Sequence, residues 1–164
     1  MIIRNAAEDD IPAITDIFCH ARSYMKENGN PTQWGPDYPG IEVVKRDIQN
    51  DNCYVFEDEN EIVGTFSFII GEEPTYQVIE QGGWHDHQPY GTIHRLAGNG
   101  KRKGLAKACF DFCKKKIGYL RIDTHADNKP MQAAIQKAGF QKCGIIFVEN
   151  GTERIAFDLS TQTG

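Results

Sequence analysis

Apolar residues at Ile11, Ile14, Ile17, Phe18, Ala21 and Tyr24 return at helical spacing and predict an amphipathic helix over about Asp10–Lys26. Glu8, Asp9 and Asp10 stand where a helix's positive end favours anions, and Pro12 falls in the first turn, where its missing N–H is tolerated. A shorter helix is expected over Val43–Gln49. Runs rich in β-branched and aromatic residues predict strands at Ile2–Arg4, Cys53–Phe56, Ile62–Ile70, Tyr90–Ala97, Tyr119–Thr124, Phe140–Val148 and Arg154–Leu159. The acidic turn Glu57–Glu61 joins two of these into a hairpin, and Asn150-Gly151 supplies the turn of a second hairpin at the end of the chain. Leu105, Ala108, Cys109, Phe112, Cys113 and Lys116 mark another helix, closed by Lys114–Lys116 and capped by Gly118. A last helix runs over Asn128–Ala138 and stops at Gly139. Between the elements lie an aromatic-bearing loop, Gly29–Gly40, and a long mixed stretch, Gly71–Gln88, of the length usually reserved for functional or mobile loops. The order is β-α-α-β-β-β-α-β-α-β-β, one mixed-sheet α/β domain over residues 1–164 without repeats.

Composition narrows the function classes. With 164 residues, 40% hydrophobic and 25% charged, the chain buries enough surface to need neither disulfide nor metal staple. Its net charge of −5 argues against general nucleic-acid or acidic-membrane binding. No apolar run approaches the about 18–20 residues of a membrane span, and Met1-Ile2-Ile3-Arg4 lacks the architecture of a signal peptide. The five cysteines form no C-x-x-C pair and read as reduced core thiols of a cytoplasmic protein, with Cys109 and Cys113 on one helix face.

The stretch richest in chemistry runs from Thr92 to Ala108: a strand, a turn of small and basic residues, and a helix start. Such a turn aims backbone N–H groups at one spot, and the helix dipole makes that spot suit a phosphate. Lys101, Arg102 and Lys103 add cations beside it, although a solvated basic loop reads the same way on composition alone. Gly98 to Gly104 lacks the Lys-Ser/Thr ending of a Walker A loop and misses the third glycine of a dinucleotide fingerprint by one position. His85-x-His87 offers only two metal ligands without a third nearby, so no metal is expected.

The element order, together with Leu96-Ala97-Gly98 before Lys101-Arg102-Lys103-Gly104-Leu105-Ala106, resembles the GNAT superfamily of acyl-CoA-dependent N-acyltransferases. The family's pyrophosphate signature is Gln/Arg-x-x-Gly-x-Gly/Ala, onto which Lys101, Gly104 and Ala106 fall. Asp123 to Met131, followed by Gly139-Phe140, resembles its second landmark, a strand leading to an Asn-started helix. Gly29–Gly35, Ile93–Ala97 and Cys143–Ile146 are similar to a bacterial branch of predicted acetyltransferases without an assigned substrate. Two departures stand out. Lys101 replaces Gln/Arg after a shortened turn, and Ile135 occupies the place of the tyrosine that protonates the leaving thiolate in many members.

The resemblance implies a central twisted, mostly antiparallel mixed sheet with helices on both faces, and strands Thr92–Ala97 and Tyr119–Thr124 splayed to admit the pantetheine arm of acetyl-CoA. Leu96, Ala97 and Gly98 would pair with that arm, the amides from Arg102 to Ala106 would cradle the pyrophosphate, and Asn128 and Met131 would lie near the reacting end. The implied chemistry is direct attack of an amine on the thioester. An ammonium must first lose a proton, and His94 is the first candidate base, with Asp123 and His125 second; a structural role stays open for each. Trp34, Tyr38, Tyr76, Trp84 and Tyr90 are candidates to wall the pocket of a small-molecule or peptide amine, against the plainer reading that they pin the loops, which Trp34 favours. Glu72, Glu73 and Glu80 could attract a cationic amine or simply be solvated. Pairing of two copies through Phe147–Leu159 is a further expectation. Two alternatives stay open: an acyl-CoA-binding module of the same fold without catalysis, and an unrelated nucleotide-binding α/β protein.

Overall fold

The computed structural model describes residues 1–35 and 37–161. Strand β1 (Ile2–Asn5) is followed by helices α1 (Ile11–Glu27) and α2 (Ile41–Gln49), then β2 (Cys53–Asp58), β3 (Glu61–Ile70) and β4 (Gly91–Gly98). Helix α3 (Leu105–Lys114), β5 (Tyr119–Thr124), α4 (Lys129–Lys137), β6 (Gln141–Phe147) and β7 (Glu153–Ser160) complete the chain. The element order is the one expected, with boundaries moved by one or two residues in most elements. The strands form one seven-stranded sheet in the order β1-β2-β3-β4-β5-β7-β6. All neighbours are antiparallel except β4 and β5. Because β7 inserts between β5 and β6, the free edge at this end is β6, not the last strand of the chain.

Strand alternation sorts the core onto two faces. In β2, Tyr54 and Phe56 join Phe66, Phe68, Ile93, Leu120 and Ile122 beneath α3 and α4, where Phe110, Cys109, Cys113 and Ile135 close the layer. Cys53 and Val55 point the other way, with Ala97, onto Ile14, Ile17 and Phe18 of α1 and Val44 of α2. A third cluster, of Tyr76, Tyr90, Tyr119, Cys143 and Ile146, shows that the long 71–90 segment is packed against the sheet. Four cysteines are buried free thiols as expected, but Cys19 is exposed on α1. Its position one residue past the apolar stripe at Phe18 turns it to solvent.

One irregularity shapes the rest. Along β3 and β4, Thr65 lies opposite Ala97 and Ser67 opposite His94, so β4 carries one residue more than its partner. That is a β-bulge, and Arg95 sits in it with φ of +54°, a left-handed conformation rare for a residue with a side chain. The guanidinium is held by Asp47 of α2, a buried carboxylate that also accepts the Ser67 hydroxyl at 2.8 Å. Beyond the bulge β4 leaves β5: their parallel ladder covers only Gly91–Ile93 against Leu120–Ile122.

Asp47→Ala leaves the Arg95 cation largely buried and unpaired and should cost about 3–5 kcal/mol of stability in denaturant unfolding. A loss below about 1 kcal/mol would mean that the ion pair does not hold the bulge.

Candidate active site

The divide between β4 and β5 has a backbone edge inside the sheet. From His94 to Gly98 the side of β4 turned toward β5 has no ladder partner among the described residues. Backbone donors and acceptors left this way take up an extended ligand readily. The inner end of the divide is a cleft of about 40 Å³ with Ile93, Leu96, Ile122, Asp123, Thr124 and Met131 in its walls. Thr124 is buried behind these walls, and its hydroxyl oxygen has no hydrogen-bond partner among the described residues.

At the outer end, the sequence Gly98 to Gly104 turns into α3. Gly104 is left-handed at φ +82°, and a Cβ built on it would meet nothing within 4 Å. No side chain caps α3, and the first helical bond is from Ala108 to the Gly104 carbonyl, so the amides of Leu105, Ala106 and Lys107 have no partner among the described residues. That is an anion cradle. Of the expected cations, Lys101 lies 2.5 Å from Glu61 and Arg102 3.7 Å from Asp58, both turned to the β2–β3 end of the sheet. Lys103 has no ion pair among the described residues.

The candidate bases fall into two groups. Asp123 stands on the cleft wall, where burial pushes its carboxyl above the usual carboxylate range, against the lowering pull of Tyr76, His94 and Arg154. Tyr76 donates its hydroxyl to Asp123 at 2.6 Å, and burial holds that phenol well above its ordinary pKa. His94 pairs through Nε2 with Glu73 at 3.2 Å. Burial raises the Glu73 carboxyl, but hydrogen bonds from His94 and Thr75 outweigh this and hold it at about 2. His125 is spent elsewhere: Nδ1 accepts the Asp127 amide at 3.0 Å and Nε2 reaches the Thr32 hydroxyl at 3.2 Å. Its pKa is lowered by burial first and by Arg154 next.

The 28–40 loop closes the mouth. Gln33 accepts Asn30 and Asn128 on its side chain, at 2.9 and 3.1 Å, while its carbonyl accepts Arg154 at 2.8 Å. Asn128 also caps α4 by accepting the Met131 amide. Trp34 packs edge-on against Phe18 and lines the cleft, and the Tyr38 hydroxyl accepts from Arg95 at 3.2 Å. Trp84 and Tyr90 lie elsewhere. They clasp the buried Arg121 guanidinium at 4.0 Å each, in the wall of a separate cavity of about 510 Å³. Tyr76 joins the two regions, being part of that wall while its hydroxyl reaches Asp123. Ile135, at the tyrosine position of the resemblance, is fully buried beneath the sheet.

Sequence reasoning did not single out Asp47, Arg95, Thr124 or Arg154, and it treated Tyr76 as a loop aromatic. Only Arg95, beside His94 in the most informative stretch, carried a local signal.

A splayed parallel pair leading to an uncapped helix offers an extended ligand a free backbone edge and an anion at its end a cradle. The acetyltransferase (GNAT) family profile matches residues 14–140, and the chain belongs to that family. It is similar to a GNAT-family acetyltransferase structure from Streptococcus agalactiae, at 28% identity and a TM-score of 0.89 over 99% of this chain and 96% of that one. A proposed acetyltransferase from Staphylococcus aureus Mu50 follows at 26% identity and 0.74, over 99% and 100%. At 15% identity and a TM-score of 0.62, over 99% and 95%, the fold is shared with a proposed acetyltransferase from Salmonella typhimurium solved with its cofactor acetyl-CoA. No curated protein sequence matches the chain. The family's general activity, acyl-CoA-dependent N-acyl transfer, is therefore this chain's class. Among the described residues no helix is long and apolar enough to cross a membrane.

The open space at Gly104 gives a direct test. Gly104→Glu places a carboxylate in the amide cradle and should abolish CoA binding by calorimetry, whereas Gly104→Ala, strained by roughly 1–2 kcal/mol, should retain it. Equal affinity in the Glu variant would move the pyrophosphate elsewhere.

Proposed function

We propose that this protein transfers an acetyl group from acetyl-CoA to the primary amine of a small molecule or peptide N-terminus, by direct attack, with Asp123 as the base. The observation that carries this reading is a carboxylate with a raised pKa on the wall of the β4–β5 cleft, the place where an acyl group threaded from the α3 amides would arrive. The open edge of β4 at Leu96, Ala97 and Gly98 takes the pantetheine arm, and the amides from Leu105 to Lys107 take the pyrophosphate. Lys103 adds positive charge there.

The amine arrives from the side of the larger cavity, whose about 510 Å³ suits a small ligand, and meets Asp123 behind Tyr76. Asp123 takes one proton from the ammonium. The nitrogen lone pair then forms the N–C bond as the C–S bond breaks, and the second proton passes from nitrogen to the departing sulfur. Tyr76 holds the carboxylate in place, and His94, fixed by Glu73, lies beside it. The non-catalytic reading, a module that binds acyl-CoA only, rests on Ile135 in place of the family's tyrosine; it gives cofactor binding without amine-dependent thiol release.

Thiol release measured across a panel of amines separates the two. Asp123→Asn should lower turnover by about 10²–10⁴-fold while CoA binding persists. Activity should rise with pH as Asp123 loses its proton. Tyr76→Phe removes a hydrogen bond that lowers the Asp123 pKa, so the limb should move to higher pH. An unmoved limb, or full activity in Asp123→Asn, would pass the role to His94 or water.

A further inference from the structure

Away from the cleft, one cluster of side chains has the composition and spacing of a metal site. His85 Nδ1, Cys143 Sγ and an Asp158 carboxylate oxygen all lie within 4.8 Å of one another. His85 Nδ1 is 2.7 Å from Asp158 Oδ1 and 3.4 Å from Cys143 Sγ. Zinc bonds of about 2.0–2.1 Å to nitrogen and 2.3 Å to sulfur put tetrahedral ligand atoms about 3.3–3.6 Å apart. The histidine–cysteine edge already has that length, and the histidine–aspartate edge needs to open by about half an ångström.

The backbone is arranged to bring these three together. In β6, Lys142 pairs with Phe157 and Gly144 with Ala156, so Cys143 is the extra residue of a bulge beside β7. It shares the cluster of Tyr119 and Ala156, on the face where Asp158 follows two residues later. The segment bearing His85 is fastened to the same bulge. Gly83 donates to the Cys143 carbonyl at 2.9 Å, and Glu80 and Ile145 exchange two backbone bonds. A side chain at Gly82 would bring its Cβ to 2.0 Å from that carbonyl, so only glycine permits the approach.

The surroundings also orient the ligands. Asp158 Oδ2 is held by the Tyr119 hydroxyl at 2.7 Å and the His85 amide at 2.8 Å, while Oδ1 meets His85 Nδ1, the contact a metal between them would replace. Arg121 in turn donates to the Tyr119 oxygen at 3.2 Å. Cys143 and Asp158 are buried, whereas the His85 side chain is 49% exposed, giving an entry path and room for water.

We propose that His85, Cys143 and Asp158 bind one Zn²⁺ ion, with water as the fourth ligand, and that the ion fastens the 71–90 segment to the β6–β7 edge. A thiolate, an imidazole and one carboxylate suit zinc and disfavour magnesium or calcium, which prefer oxygen alone. Binding releases the Cys143 thiol proton to solvent as the Zn–S bond forms. The site is separate from the acyl-transfer chemistry, and the two readings stand or fall independently.

Chelator-stripped protein titrated with Co²⁺ should give a near-ultraviolet thiolate charge-transfer band saturating at one equivalent. Cys143→Ser should lose the band, and Cys19→Ser, which removes the exposed thiol, should keep it. His85→Ala changes an exposed loop side chain and leaves the core intact; its Zn²⁺ affinity, measured against a chromophoric chelator, should fall more than about tenfold. Zn²⁺ should raise the melting temperature of the natural protein but not of that variant. No charge-transfer band, or zinc affinity unchanged in His85→Ala, would overturn the proposal and leave a metal-free hydrogen-bonded cluster.

Discussion

The extra residue in β4 is what the site depends on. A regular β4 would continue its ladder with β5 to the end of both strands, and the sheet would have no interior edge. Instead Arg95 adopts a left-handed conformation, its guanidinium is drawn to Asp47 on α2, and β4 is released from β5 after Ile93. The strain of that backbone is sustained because Asp47 is buried and answers both Arg95 and Ser67. Everything ascribed to the cofactor follows from this geometry: the free edge at Leu96–Gly98, the cleft, and the line from the cleft to the amides of α3.

The second organising feature is the 71–90 segment, which replaces a helix as the cover over β5, β7 and β6. Its first half reaches the site through Glu73 and Tyr76, and its second half reaches the sheet edge through Trp84 and His85. Arg121 lies between, clasped by Trp84 and Tyr90, so the aromatic side chains of this segment serve mainly to fix its path. A rigid path matters because Tyr76 must place its hydroxyl on Asp123, and a shift of an ångström there would loosen the carboxylate on the cleft wall.

How much of this was legible in the sequence follows from contact distance along the chain. The helix at α1, the strand Tyr119–Thr124 and the glycine turn before α3 are local patterns, read from periodicity and from a few residues of turn chemistry. The anion cradle was legible for the same reason, because strand, turn and helix start are contiguous. The pairs that finish the site join residues far apart: Arg95 with Asp47 across 48 positions and Tyr76 with Asp123 across 47. Cys143 and Asp158 stand 58 and 73 positions from His85, so their cluster leaves no local signature around the tract His85-x-His87. His125 and Asn128 carry the same lesson: His125 meets Thr32, and Asn128, in the cleft wall, meets Gln33, contacts with the 28–40 loop that no local pattern could reveal.

The central claim is that the divide between β4 and β5 receives an acyl-CoA. Thermal unfolding of the natural protein in the presence of acetyl-CoA, CoA, ATP or NAD tests it most directly, since a ligand that binds only the folded state must raise the melting temperature. The account predicts stabilisation by both acetyl-CoA and CoA, with little from ATP or NAD, because the pantetheine arm and the pyrophosphate are both needed to span the cleft and the cradle. No response to either form of CoA at millimolar concentration, or an equal response to ATP, would contradict it.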